Sequence, residues 1–323
     1  MRAVVTDRFG PPEALEIREL ETPVPTDDEL LVRVRAASVN PADWYGVTGT
    51  PWAGRPMMGL FKPKEARVGT DFAGTVEAVG KDVTRFRPGD DVFGGRTGAF
   101  AEYVCVREER AVVPKPSNVT FEEAAAVPVA ALTALQGLRD KGRLQVGQKV
   151  LINGASGGVG TYAVQIAKAL GAEVTGVCST RNVDVARSLG ADHVVDYTKV
   201  DFTRTDARYD LLLDVAGSRS WSDCKRVLEP NAIDVVVGAA KGTRLLGPLS
   251  HVGKTRMAAL RSTQKVVFFI AKFNKEDMVV LRDLLETGSI TSVIDRRFEL
   301  AEIADALRYL GEGHAQGKVV VTI

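Results

Sequence analysis

Residues 149–172 read Lys-Val-Leu-Ile-Asn-Gly-Ala-Ser-Gly-Gly-Val-Gly-Thr-Tyr-Ala-Val-Gln-Ile-Ala-Lys-Ala-Leu-Gly-Ala. An apolar strand, Lys149–Asn153, runs into Ala155-x-Gly157-x-x-Gly160, a helix near Gly158–Leu170, the pair Gly171-Ala172 and a second strand, Glu173–Cys178. This is the spacing of the dinucleotide fingerprint with alanine in its first place. Gly157 lets backbone approach a pyrophosphate, and Gly160 lets the helix pack closely on the strand. The helix start offers amide donors that its own ladder leaves unpaired. A plain strand-to-helix turn also uses glycines, but the readable strand, helix and second strand make a nucleotide site the stronger reading.

The loop after the second strand selects the nucleotide. A site for NAD(H) places a carboxylate there for the ribose 2′-hydroxyl, yet the sequence is Ser179-Thr180-Arg181-Asn182, with Asp184 arriving only later. Two hydroxyls and a guanidinium suit a 2′-phosphate, so NADP(H) is the expected cofactor. Ser179 and Thr180 could equally cap the next helix.

Outward from this unit, further apolar strands at His193–Asp196, Leu211–Asp214 and Ile233–Val237, with a helix near Val183–Leu189, predict a doubly wound parallel sheet over residues 126–265. Residues 1–125 instead read as short strands cut by Pro11-Pro12, Pro88-Gly89 and Gly94-Gly95, a mostly β and barrel-like domain. Thr120 with Glu123 forms a capping box where the pattern turns helical. Residues 266–323 open with a strand at Val266–Ile270 and close with Lys318–Ile323. That last strand is too apolar to stay unpaired, so the segment is expected to return to the first domain. The fold class is therefore α/β, with the nucleotide domain inserted in a discontinuous β-rich one.

Across 323 residues, 42 Lys+Arg stand against 41 Asp+Glu, for a formal net charge of +1. Without a basic block, neither nucleic acid nor a membrane surface is an expected partner. The basic stretch Lys241–Lys265, with Arg244, Lys254, Arg256 and Arg261, has few aromatics and reads as solvated. No apolar run reaches the ~18–20 residues of a spanning helix. Cys105, Cys178 and Cys224 form no C-x-x-C pair, which argues against a disulfide framework and suggests a reducing, cytoplasmic setting. His193, His251 and His314 lie far apart and suggest no catalytic triad.

Strings along nearly the whole chain resemble the zinc-independent branch of the medium-chain dehydrogenase/reductase family, the quinone oxidoreductase-like enzymes. They are Val39-Asn40-Pro41-Ala42-Asp43, Gly69-Thr70-Asp71-Phe72-Ala73-Gly74, Arg87-Pro88-Gly89-Asp90, Ala99-Phe100-Ala101-Glu102-Tyr103, Leu132-Thr133-Ala134, Leu189-Gly190-Ala191-Asp192 and Gly317-Lys318-Val319-Val320. The resemblance implies a Rossmann sheet inserted in a GroES-like catalytic domain, NADPH in the cleft between them, and a homodimer joined through the Rossmann sheets. It also implies no zinc. Zinc-dependent relatives carry cysteine where this chain has Asn40 and a His-Glu pair where it has Thr70-Asp71, and Zn²⁺ prefers thiolate and imidazole.

Without a metal, hydride transfer suits a small electrophile whose developing charge needs only hydrogen-bond donors and a proton, namely a quinone or an α,β-unsaturated carbonyl. The resemblance places Asn40, Asp43 and Tyr45 at the nicotinamide end, with Tyr45 as donor to the substrate oxygen. A packed pair with Trp44 is the alternative for Tyr45. Thr133 resembles a nicotinamide contact, or a helix threonine bonded to its own backbone. Ala155, Ser156, Gly157, Gly158 and Val159 would hold the pyrophosphate, and Ser179, Thr180, Arg181 and Tyr197 the adenosine phosphate. Phe269, Ile270, Ala271 and Lys318 resemble segments that close over the cofactor, Lys318 having a strand-edge charge as its alternative. Residues Gly49–Glu65 combine Trp52, Met57, Met58 and Phe61 with loop formers, as a substrate-side lid or an oligomer contact would. Two other functions stay open: an NADPH-binding sensor with little turnover, and a zinc-free alcohol dehydrogenase.

Overall fold

The computed structural model describes residues 1–238, 248–313 and 315–323, so Lys241, Arg244 and His314 lie outside the described residues. It divides into two units: Met1–Leu132 with Lys272–Ile323, and Thr133–Ala271.

The first unit begins with β1 (Arg2–Val5) and β2 (Glu16–Glu19), an antiparallel pair, followed by the long strand β3 (Glu29–Val39). Helix α1 (Pro41–Thr48) starts directly after β3, with Asn40 as its cap, Pro41 in its first turn and left-handed Gly49 at its end. A short helix α2 (Arg55–Met58) precedes β4 (Asp71–Val79), β5 (Asp91–Gly95), β6 (Tyr103–Arg107) and β7 (Val112–Pro114). The expected capping box is present at α3 (Phe121–Ala125), where Thr120 and Glu123 bond reciprocally. Helix α4 (Pro128–Leu135) carries the chain from one unit to the next.

The second unit is built from β8 (Lys149–Asn153), α5 (Gly158–Ala169), β9 (Glu173–Cys178), α6 (Val183–Ser188), β10 (His193–Asp196), β11 (Tyr209–Asp214), α7 (Trp221–Cys224), β12 (Leu228–Val236), α8 (Pro248–Ala259) and β13 (Lys265–Phe268). All six strands run parallel in the order β10-β9-β8-β11-β12-β13. Leu151, Ile152, Leu212 and Leu213 are fully buried, as continuous apolar runs covered on both faces must be. The order reverses between β8 and β11, so the C-terminal end of β8 sits at the switch point where such sheets bind ligands.

The chain then returns through α9 (Lys275–Glu286), β14 (Ile294–Glu299), α10 (Ile303–Glu312) and β15 (Lys318–Thr322). The terminal strand does pair with the first unit: its sheet runs β14-β15-β3-β4-β5-β7, with β6 on β3. One expectation is corrected. The strand expected at Val266–Ile270 to open the returning segment instead closes the parallel sheet as β13, in register from Ile233↔Lys265 to Val236↔Phe268. A four-residue apolar strand needs a neighbour, and its composition does not say which of two sheets provides it. The crossings between units accordingly fall at 132/133 and 271/272. No helix among the described residues is long and apolar enough to cross a membrane.

Candidate active site

Strand register gathers the polar core of the first unit. Val319 lies opposite Val39, which brings Lys318 to Asn40, while Ser38 lies opposite Asp71. The Lys318 ammonium donates to Asn40 Oδ1 at 2.6 Å, and Asn40 Nδ2 donates to Asp71 Oδ2 at 2.9 Å. Asp71 also accepts from Ser38 Oγ at 3.0 Å and from the Val129 amide at 3.1 Å. One turn into α1, the Asp43 carboxyl takes the Asn40 amide at 2.8 Å and the Thr70 hydroxyl at 3.0 Å. Every polar group of this set has a partner, as burial demands.

Burial disfavours charge throughout. It is the main cause that raises Asp43 to about 7, with the Asp71 charge adding to it. Burial likewise raises Asp71 against the opposing pull of Lys318, and lowers Lys318 against the pull of Asp71 and Asp43. Lys318 is 3% exposed and its strand lies between β14 and β3, so the strand-edge reading is corrected. Its ammonium is committed inside the unit, where it positions the Asn40 amide.

Tyr45 and Trp44 part company. The Trp44 ring packs over Gly311 of α10, where an added Cβ would come within 2.6 Å of it, in the cluster of Val47, Leu300 and Leu307. Tyr45 is half-buried, desolvation holds its phenol above the ordinary value, and its hydroxyl bonds to no described residue. Thr133 lies one turn beyond Val129 on α4, half-buried.

In the second unit the glycine-rich turn follows β8 directly. Gly154 has φ +95°, which favours a residue without Cβ. A Cβ on Gly160 would lie 2.0 Å from the Gly154 carbonyl oxygen, so this glycine is fixed by helix–strand packing. Gly157 is different: its added Cβ would meet nothing nearer than 3.7 Å. Packing within the protein does not require that glycine, whereas a diphosphate laid against the backbone does. The first intrahelical bond of α5 runs from the Thr161 amide to the Gly157 carbonyl, leaving the amides of Gly158, Val159 and Gly160 outside the helix's own ladder. Ala155 is fully buried beneath the turn, and Ser156 Oγ accepts from Asn182 Nδ2 at 2.9 Å. This turn fits a pyridine dinucleotide.

At the end of β9, Ser179 precedes a short turn without a side-chain capping bond, and Arg181 is exposed. Thr180 behaves otherwise than its neighbours suggest, because its hydroxyl donates to Asp196 Oδ2 at 2.6 Å. The acid missing from this loop thus comes from the adjacent strand. Hydrogen bonds from Thr180 and Thr198 hold Asp196 at about 2. Local reading missed it, because only parallel pairing of β9 with β10 brings it to Thr180. Tyr197 follows, 53% exposed, with its amide on the Cys178 carbonyl. Phe269 lies just past β13, with the Lys141 ammonium 5.9 Å from its ring centroid, and Ile270 is exposed. The segment Gly49–Glu65 forms two short helical turns that leave Trp52, Met57 and Phe61 in solvent and Met58 half-buried.

Among the described residues no group of three or more His, Cys, Asp or Glu could hold a metal. Asn40, Thr70 and Asp71 offer amide, hydroxyl and carboxyl atoms already engaged with one another's neighbours, which does not fit Zn²⁺.

Residues 26–117 match the family model for the alcohol dehydrogenase GroES-like domain, and residues 189–321 that for zinc-binding dehydrogenases. The chain is 33% identical over 338 residues to a chloroplastic quinone-oxidoreductase of Triphysaria versicolor, covering 99% of this chain and 98% of that protein. It is 31% identical over 340 residues to 2-methylene-furan-3-one reductase of Solanum lycopersicum, covering 99% and 79%. Among solved structures it resembles the quinone oxidoreductase from Coxiella burnetii, with a TM-score of 0.85, 28% identity, and coverage of 100% and 99%.

Proposed function

The chain belongs to the quinone oxidoreductase-like, zinc-independent branch of the medium-chain dehydrogenase/reductases and is an NAD(P)-dependent oxidoreductase; from that premise we propose that it reduces quinones or α,β-unsaturated carbonyls with NADPH and without zinc. The observation that carries this reading is the closed set of Asn40, Asp43, Thr70, Asp71 and Lys318, with Tyr45 two residues after Asp43 on α1. It holds hydrogen-bond donors and a proton where a metal-dependent site would hold thiolate and imidazole.

Bound NADPH supplies the hydride. The protein's part is to bind, orient and protonate. The Tyr45 hydroxyl, without a hydrogen-bond partner among the described residues, donates to the substrate oxygen and so stabilises the charge that develops there. Asp43, raised to about 7, keeps a proton in store around neutrality; it hands that proton to the Thr70 oxygen as the Thr70 hydroxyl gives its own to the substrate anion left by hydride addition. Lys318 and Asp71 lock the Asn40 amide in one orientation at the start of α1. In the second unit, Gly157 to Val159 take the diphosphate, with Ser179 and Arg181 taking the 2′-phosphate.

NADPH oxidation measured with a panel of quinones and enones tests the reading. Wild type should turn over at least one class after exhaustive chelation, and Tyr45→Phe should lose roughly a hundredfold in kcat, the size of a lost charge-stabilising donor. Tight NADPH binding with no turnover on any member would refute it in favour of a sensor. We also propose a homodimer joined along β13, whose outer edge pairs with no described strand. Light scattering of wild type against Val267→Pro checks it, and a monomeric wild type would exclude it.

A further inference from the structure

The first unit contains a cavity of about 540 Å³ lined by Glu29, Thr70, Arg96, Arg107, Arg110 and Phe273. Three exposed arginines and one half-buried glutamate share its lining. Glu29 is partly occupied, accepting from the Thr26 amide at 3.1 Å. Among the described residues, Arg107 pairs only with Asp28, at 3.4 Å in an exposed pair, and the Arg96 side chain bonds only through Nε, to the Cys105 carbonyl at 3.3 Å. Arg110 has no carboxylate within ion-pair distance among the described residues, although a turn from its amide to the Arg107 carbonyl fixes its backbone. Cations drawn together without matching acids repel one another, and an anion relieves that repulsion.

Two details tie this cavity to the reacting end. The Arg96 amide donates to the Thr70 carbonyl at 2.8 Å, so the loop after β5 is pinned to the residue whose hydroxyl bonds Asp43. Part of the lining is apolar: the Phe273 ring lies against Gly95 so closely that a Cβ there would come within 2.0 Å of it. An aromatic wall, a fork of guanidinium donors and the Thr70 hydroxyl together fit a flat unsaturated body with an anion at its far end.

We propose that this cavity is a subsite for a carboxylate or phosphate group carried by the electrophilic substrate. The proposal rests on the reductase reading for the identity of that substrate, but not for the affinity of the site for anions. Two measurements separate these. Phenylglyoxal labelling followed by peptide mass spectrometry should show Arg96 and Arg110 protected by inorganic phosphate or succinate, while Arg87, exposed like them but outside the cavity lining, labels at its usual rate. Equal labelling of all three with and without anion would overturn the proposal. In the second measurement, an enone ending in a carboxylate is compared with its methyl ester. The ratio of their kcat/KM values should fall about tenfold in Arg110→Gln, the size expected for one charge-assisted hydrogen bond. Protection by phosphate with an unchanged ratio means the site takes free anions only, and the substrate-tail assignment fails. A rise in the KM for NADPH in place of the altered ratio assigns the arginines to the cofactor and also overturns it. If neither enone is reduced while protection persists, the reductase reading fails and the anion site stands.

Discussion

Lys318 and Asn40 are joined inside the first unit by a 2.6 Å hydrogen bond from ammonium to amide oxygen, and the same ammonium lies 3.8 Å from the Asp71 carboxylate. The amide is thereby oriented from both ends, with its nitrogen on Asp71 and its oxygen on Lys318. Asn40 in turn starts α1, the helix that carries Asp43 and Tyr45. A sheet residue near the end of the chain therefore sets the geometry of a helix near its beginning.

Removing one partner of this buried pair should be costly. Lys318→Met strands the fully buried Asp71 without its counter-charge, and the expected loss is about 3–5 kcal/mol of unfolding free energy. The double variant Lys318→Met/Asp71→Leu should recover much of it, because replacing both charges removes the uncompensated one. Urea unfolding of the two variants checks this. A double variant no more stable than the single one would show that the pair is not what holds the site.

The raised Asp43 predicts a pH dependence of definite sign. Unfolded, the group loses its proton near its ordinary value of 3.8, whereas folded it keeps the proton to about 7. The folded state binds more protons across that window, so this group's contribution to stability is full below about pH 4 and is lost as pH rises toward 7. Asp43→Asn should flatten that slope. Thermal melts of both proteins between pH 4.5 and 8, values chosen to bracket roughly the titration, measure the difference; a wild type that gains stability relative to the variant as pH rises would contradict it.

Much of the second unit was legible because its signals are local. The strands at Lys149–Asn153, Glu173–Cys178 and His193–Asp196 fall where the apolar runs place them, and α5 begins at the expected glycine. The terminal strand was also readable, since its apolar run had to pair. What local reading missed lies across chain separations. Asp196 meets Thr180 only after β10 pairs with β9, and Lys318 meets Asn40 only after β15 pairs with β3. The apolar run Val266–Ile270 could name its conformation but not its sheet. In each case a strand's composition specifies that it will pair, while the partner is decided by register and by the faces left open elsewhere.

The two fingerprint glycines should respond differently to the same methyl group. Gly160→Ala places a Cβ 2.0 Å from the Gly154 carbonyl oxygen, a backbone contact that cannot rotate away. The expected cost is about 1–3 kcal/mol of stability, as for other overpacked sites. Gly157→Ala meets nothing nearer than 3.7 Å, so it should melt close to wild type. Its loss should appear instead in NADPH affinity, where the methyl occupies the approach of the diphosphate. Melting temperature and fluorescence titration together distinguish the two. Loss of stability in Gly157→Ala with affinity retained would mean the turn is structural.

The division of labour at the end of β9 gives the test of cofactor choice. Thr180 donates its only hydroxyl proton to Asp196, whose pKa near 2 keeps it ionised at any working pH. On the proposed reading a 2′-phosphate would draw on Ser179 and the exposed Arg181. Arg181→Ala should raise the Kd for NADPH by roughly tenfold, the size of a lost charge-assisted bond, and leave NADH nearly untouched because that cofactor presents a hydroxyl at the same place. Thr180→Ala should alter the ratio of the two affinities far less. Moderate salt should narrow the NADPH advantage of wild type, since an exposed guanidinium–phosphate contact is screened, and should have little effect in Arg181→Ala. Titration of both nucleotides against the three proteins at two ionic strengths measures all of these. An Arg181→Ala protein with the wild-type preference and salt response would place selectivity elsewhere and remove the reason for expecting NADPH over NADH.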